Sequence, residues 1–159
     1  MTELAIHADQ DIANELCEQV RSAYHDRTPL RIVAGNTRAF YGRPVEGTEL
    51  NVAAHSGIVS YDPIELVVTV RAGTRLSALN AALAEKHQML PFEPPIFGDA
   101  STIGGAVATG MSGPRRPWAG AARDFVLGTR VITQEGKLLR FGGEVMKNVA
   151  GYDLSRLMA

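Results

Sequence analysis

Leu30-Arg31-Ile32-Val33-Ala34-Gly35-Asn36-Thr37-Arg38 is the stretch on which the reading of this chain turns. Leu30 to Ala34 is a short β-branched and apolar run that predicts a strand, and it passes without a spacer into a polar glycine turn. A strand that feeds such a turn is a candidate phosphate loop, because a residue without a side chain lets backbone N–H groups approach an anion. Gly35 and Gly42 are too far apart for the Gly-x-Gly-x-x-Gly pattern, and no Gly-Lys-Ser/Thr sequence occurs, so ordinary NAD-binding and ATP-hydrolysing sites are disfavoured. A second glycine-bearing stretch, Ser101-Thr102-Ile103-Gly104-Gly105-Ala106-Val107-Ala108-Thr109-Gly110, runs on to Gly113 and is small and apolar. Together the two stretches could bare enough N–H groups for a diphosphate; taken alone, Gly104-Gly105 could equally serve tight helix–sheet packing.

Working outward, Pro29 ends a helical pattern in which Ile12, Ala13, Leu16, Cys17, Val20, Ala23 and Tyr24 recur at three- and four-residue steps, with Asp9 as the expected cap. Cys17 lies on the apolar face and reads as a buried structural thiol. Leu66 to Val70 predicts a second strand, after which Thr74 is expected to cap a helix bearing Leu76, Leu79, Ala82 and Leu83 and closing with Lys86 and His87. Residues 91–120 hold five of the eight prolines and six of the sixteen glycines, so regular structure is expected to be largely suspended there. Asp124 to Thr133 and Lys137 to Phe141 flank Gln134-Glu135-Gly136, which predicts a hairpin. An amphipathic turn is expected from Tyr152.

With 159 residues, 45% of them hydrophobic and 21% charged, and a mean hydropathy of −0.03, the chain has the composition of one globular domain. A formal charge of −1 gives no support to nucleic-acid binding. The charge is uneven: residues 114–159 carry eight Lys/Arg against four Asp/Glu, most simply a solvated basic face. A single cysteine rules out an internal disulfide or a multi-cysteine metal site, and His7, His25, His55 and His87 form no helical pair, so no metal is expected. Met1 to Gln10 does not resemble a secretory signal, and Leu66 to Val70 is too short to span a bilayer, so a cytoplasmic location is expected, with any membrane association through partners. No Ser/His/Asp set or acidic pair is placed by spacing, so no catalytic residue is named.

The order of these segments resembles the PCMH-type, or vanillyl-alcohol-oxidase, FAD-binding domain. Within that group, Arg31 to Thr37, Tyr61 to Leu66, Gln88 to Pro95, Gly113 to Trp118 and Gly142 to Asp153 resemble the E-subunit family of bacterial glycolate oxidases. The resemblance implies an α+β fold of two lobes gripping FAD, spanning residues 1–159 and truncated before its last strand, with the cap domain and the substrate-side residues absent. It implies a cofactor site at Ala34, Gly35, Asn36 and Thr37 on the pyrophosphate, and at Thr102, Gly104, Gly105, Thr109, Gly110 and Gly113 along the pyrophosphate and ribityl chain. Many relatives anchor the flavin through a histidine in the first loop; this chain has Asn36, Thr37, Arg38, Ala39 and Phe40 there, so non-covalent FAD is expected. Arg115, Arg116, Arg123 and Lys147 could offset the diphosphate or face water or a partner. The implied activity is oxidation of glycolate, a small 2-hydroxy acid, to glyoxylate, with electrons passing through flavin to a second FAD-binding subunit and an iron–sulfur subunit. The chain alone is expected to be inactive; the alternative is a scaffold that has lost FAD and only docks partner subunits.

Overall fold

The computed structural model describes residues 9–143 and 157–159, so Lys147 and the turn expected from Tyr152 lie outside the described residues. Helix α1 (Ala13–His25) carries Leu16 and Cys17 inward, and the Cys17 thiol is free and buried. Its cap differs from expectation. Ile12 occupies the capping position, and the Asp11 carboxylate, not Asp9, accepts from the Ala13 N–H at 3.0 Å.

Strand β1 (Leu30–Val33) pairs in parallel with β2 (Thr48–Asn51), Leu30 opposite Thr48 and Val33 opposite Asn51. Parallel neighbours require a long crossover, and here residues 34–47 supply it without a helix, so the first glycine turn is part of that crossover. Strands β3 (Ile58–Asp62) and β4 (Val67–Val70) form an antiparallel pair with a register shift near Ile58. Neither β2 nor β3 was legible from periodicity. β2 is four residues with only Leu50 buried, and β3 has no fully buried position.

Helix α2 (Leu76–Ala84) has Arg75 at its capping position; its side chain makes no capping bond and donates instead to the Asp99 carbonyl at 2.7 Å. The Thr74 hydroxyl, expected to cap it, instead accepts from the Gly57 N–H at 2.9 Å and donates to the Gly57 carbonyl at 3.2 Å. The helix ends before Lys86 and His87, and His87 adopts a left-handed conformation. The proline- and glycine-rich segment is more regular than expected. It holds α3 (Ile103–Thr109) and the short α4 (Arg116–Ala119), and α5 (Ala122–Phe125) follows directly. Strands β5 (Gly128–Ile132) and β6 (Leu138–Gly142) form the expected hairpin, with Gly136 at φ 69° in the turn, although 124–127 stay outside the strand.

Two apolar cores agree with an α+β domain of two lobes. One joins Ile12 and Leu16 of α1 to Leu50 of β2, with Leu30 and Ile132 packed beside them. The other joins Leu76, Leu79 and Leu83 of α2 to Phe92, Ile103, Ala106 and Ala122, with Val68, Val70 and Phe125 at its edge. Through Ile103 and Ala106 this second core carries the second glycine segment. Leu76 and Leu79 are wholly buried.

The entry to α1 is pinned by a titratable contact. The Ile12 N–H donates to His55 Nδ1 at 3.3 Å, which requires that nitrogen to be unprotonated, and Arg71 pairs with Asp11 at 3.3 Å. His55 Nδ1 also lies 3.6 Å from Asp11 Oδ1. Burial holds the His55 ring below its ordinary value, with Arg71 and Arg130 adding to the effect and Asp11 opposing it. A folded-state value below the unfolded 6.5 means that the contribution is fully present above about pH 6.5 and is lost as pH falls through the folded value. The unfolding free energy should therefore decline between pH 7 and 5, by at most about 1.4 kcal/mol per pH unit from this group, and the melting temperature with it. His55→Asn, whose amide oxygen can still accept from Ile12, should flatten that decline; an unchanged slope would assign it to other groups.

Candidate functional site

The first turn leaves β1 through the half-buried Ala34 and enters Gly35, Asn36, Thr37 and Arg38. Asn36 is left-handed at φ 52°. Within the turn the Ala39 N–H reaches the Asn36 carbonyl at 3.4 Å and the Tyr41 N–H the Arg38 carbonyl at 2.9 Å. Among the described residues, the N–H groups of Gly35, Asn36, Thr37 and Arg38 have no acceptor. Four consecutive unpaired donors around one left-handed residue match the backbone pattern of an anion-binding nest.

The structure brings this turn against residues 95–101, which lead into the second segment, at four places. A Cβ on Gly35 would overlap the carbonyl oxygen of Ala100. The Thr37 hydroxyl lies 3.1 Å from the Ser101 hydroxyl, which also accepts from the Phe97 N–H at 3.0 Å. The Arg38 guanidinium donates through one Nη to the Pro95 carbonyl at 2.6 Å. Phe40 and Phe97 complete the contact edge to face, with ring centres 5.1 Å apart. Glycine at 35 is thus needed for a backbone-to-backbone approach, and that approach sets the turn beside the second segment.

The second segment does not present N–H groups in the way its composition suggests. The Gly104 N–H donates to the Ala72 carbonyl at 2.9 Å, and a Cβ there would stand 2.7 Å from that oxygen, so Gly104 serves close packing. The Gly105 N–H donates to Thr102 Oγ1 at 3.2 Å, which makes Thr102 the cap of α3. Thr109 turns its hydroxyl back onto the Gly105 and Ala106 carbonyls, at 2.9 and 3.2 Å. Gly110 closes the helix in a left-handed conformation, its N–H bonded to the Val107 carbonyl, and the Gly113 N–H goes to the Phe92 carbonyl at 2.8 Å. The idea that Gly104, Gly105, Gly110 and Gly113 bare their N–H groups is therefore corrected: helix formation and packing use all four. Of the four, only Gly105 borders the first turn, where the place of its missing Cβ lies 3.3 Å from an Arg38 Nη.

Two side chains of this contact were not singled out by sequence reasoning. Ser101 is 2% exposed and joins Thr37 to Phe97. Arg38 is 9% exposed, its Nε is buried without a partner, and burial pulls the guanidinium below its ordinary pKa. No local signal marks an arginine for burial, because its surroundings come from Pro95 and Phe97. Of the basic residues that were singled out and are described, Arg115 is exposed and paired with Glu93 at 3.2 Å, and Arg116 and Arg123 are exposed.

This donor set suits a phosphate-bearing group, since unpaired main-chain N–H groups and a buried cation with no carboxylate at hand favour an anion over a cation or a neutral molecule. A concavity of about 340 Å³ is lined by Asn80, Ala84, Gln88, Met89, Leu90, Glu93 and Pro94 and by no residue of the turn. Among the described residues no cluster of His, Cys, Asp or Glu could hold a metal, and no helix is long and apolar enough to cross a membrane.

Comparison with known proteins agrees with the geometry. The FAD binding domain family matches residues 11–142. Glycolate oxidase subunit GlcE of Escherichia coli is 62% identical over 148 residues, covering 93% of this chain and 42% of that protein. Glycolate oxidase subunit GlcD of Bacillus subtilis is 35% identical over 72% of this chain and 24% of its own length. D-2-hydroxyglutarate dehydrogenase of Xanthomonas citri is 34% identical over 63% of this chain and 21% of its own length. The chain thus spans about two-fifths or less of these relatives. A family match that covers both cores and both glycine segments, on a turn whose donors suit a diphosphate, means that this chain belongs to the FAD-binding domain family and that its cofactor is FAD.

Proposed function

We propose that this chain is the FAD-holding part of a glycolate-oxidising subunit, and that it holds the flavin without a covalent bond. The observation that carries the reading is the run of four unpaired N–H groups from Gly35 to Arg38, set against the second glycine segment through Ala100 and Ser101. In this reading the turn binds the diphosphate, Thr37 and Ser101 hold the turn in place, and Gly105, whose missing side chain leaves the Arg38 guanidinium uncovered, admits the rest of the cofactor. FAD supplies acceptance of two electrons from a small 2-hydroxy acid and their onward transfer. The relationship to the glycolate oxidase subunits of E. coli and B. subtilis supports glycolate as the donor and other subunits of one complex as partners; the family resemblance makes these a second flavin-binding subunit and an iron–sulfur subunit.

The test is FAD binding by the 159-residue protein. At a hundredfold excess over the dissociation constant, a ligand that binds only the folded state stabilises it by about 2.7 kcal/mol, which for a domain of this size raises Tm by about 5–11 °C. Denaturation followed by ultrafiltration should leave all the yellow colour in the filtrate; colour retained with the polypeptide would refute the non-covalent assignment. A folded protein that stays colourless, with no change in Tm, would favour the docking module over the flavin carrier.

A further inference from the structure

Among the described residues Arg38 is the most buried cation; the half-buried Arg75 also lacks a carboxylate partner there and bonds the Asp99 carbonyl at 2.7 Å. Arg31 pairs with Glu49 at 2.8 Å, Arg71 with Asp11 at 3.3 Å and Arg115 with Glu93 at 3.2 Å. Arg38 is more buried than any of these, yet among the described residues no carboxylate lies within ion-pair distance of it. One Nη is satisfied by the Pro95 carbonyl, Nε is buried and unpaired, and the guanidinium carbon lies 5.4 Å from the centre of the Phe97 ring. The other Nη lies 3.3 Å from the place a Cβ on Gly105 would take, so that glycine leaves it uncovered.

An ion taken out of water without a countercharge is held at a cost of several kcal/mol. Neither a carbonyl nor a ring face neutralises it. The surrounding contacts fix the side chain in place, and since no described residue supplies a countercharge, an anion bound from outside would be its partner. The same residue offers its own unpaired N–H, next to those of Gly35, Asn36 and Thr37. Main-chain donors and a fixed guanidinium from one turn are the combination that recognises phosphate oxygens.

We propose that Arg38 is the countercharge for the FAD diphosphate and sets the affinity of the site for the dinucleotide. The inference rests on the FAD reading above and adds to it the residue that supplies the charge. It also assigns the exposed Arg115, Arg116 and Arg123 no part in holding the diphosphate.

The experiment compares the 159-residue protein with Arg38→Met, which keeps length and apolar packing, and Arg38→Lys, which keeps charge. FAD and inorganic pyrophosphate are the ligands, and calorimetric affinity and the ligand-free Tm are the readouts. Arg38→Met should weaken FAD binding by about 10–100-fold, as expected for the loss of a charge-assisted bond. Its ligand-free Tm should be unchanged or higher, since the variant no longer buries an unpaired charge. Arg38→Lys should recover much of the affinity, and pyrophosphate should raise the Tm of the parent but not of Arg38→Met. Equal FAD affinity in parent and Arg38→Met would overturn the proposal and leave the FAD reading standing. A lowered ligand-free Tm in Arg38→Met with no recovery by lysine would make the residue structural. Stabilisation of the parent by pyrophosphate but not by FAD would assign the site to a free anion, and no response to either ligand would refute this proposal and the FAD reading together.

Discussion

Gly35→Ala is expected to lower Tm by about 6–12 °C and to abolish FAD retention at concentrations that saturate the parent. The added methyl would occupy the position of the Ala100 carbonyl oxygen, with the Ala100 carbonyl carbon and Cβ also in the way. The obstruction is main chain, which no rotamer change relieves, so the 34–47 crossover and the 95–102 segment must move apart. Overpacking of this kind costs about 3 kcal/mol or more, which corresponds to the shift given. That movement also separates Thr37 from Ser101 and withdraws Arg38 from the Pro95 carbonyl, so the turn loses the frame that holds its donors in place. Trimming the opposing side chain should not help: Gly35→Ala combined with Ala100→Gly is expected to behave like Gly35→Ala, because the offending oxygen belongs to the backbone. A Gly35→Ala protein that melts within a degree of the parent would show that the two segments do not approach as described.

Leu79→Ala is expected to be as damaging by a different route. Leu79 is wholly buried in α2, in the core that also contains Ile103 and Ala106 of α3. Removing a leucine side chain from such a position costs about 2–5 kcal/mol, from lost burial and the cavity left behind, so Tm should fall by about 4–20 °C. Because α3 is seated on this core, FAD affinity should weaken as well, although Leu79 is not part of the glycine turn. Ile64→Ala is the matched comparison: Ile64 is 90% exposed, and its truncation should change stability by no more than about 0.5 kcal/mol. Equal effects of the two substitutions would mean that α2 does not form the centre of this lobe.

How much of this was legible depended on the range of the interactions involved. The 134–136 turn was readable because Gly136 at positive φ is a local requirement, and strand β1 because its residues are apolar and β-branched. The capping residues were misread at both long helices, for a distant reason at α2 and a local one at α1. Asp9 and Thr74 are good capping types, but Thr74 is engaged by Gly57, seventeen positions away, and Asp11 reaches the first N–H of α1 ahead of Asp9. The 91–120 segment hid a helix because proline and glycine frequency does not show that Thr102 can cap the run from Ile103 to Thr109.

The glycines show the same division. Composition marked Gly35 and Gly104 alike as places where backbone could meet a ligand. In the fold, both are small because another backbone passes close by, at Ala100 and at Ala72, and only the turn at Gly35 keeps its own N–H groups unpaired.

By itself the sequence was sufficient for the kinship with FAD-binding domains, the strand that runs into the glycine turn, the buried thiol and the closing hairpin, because each is encoded by neighbouring residues or by long specific strings. The tertiary structure alone decided which donors remain free and which cation is stranded. Thr37 meets Ser101 and Arg38 meets Pro95 across 64 and 57 positions of chain. Whether a polar group is left unsatisfied depends on every group that folding brings to it, and no window of sequence contains that list.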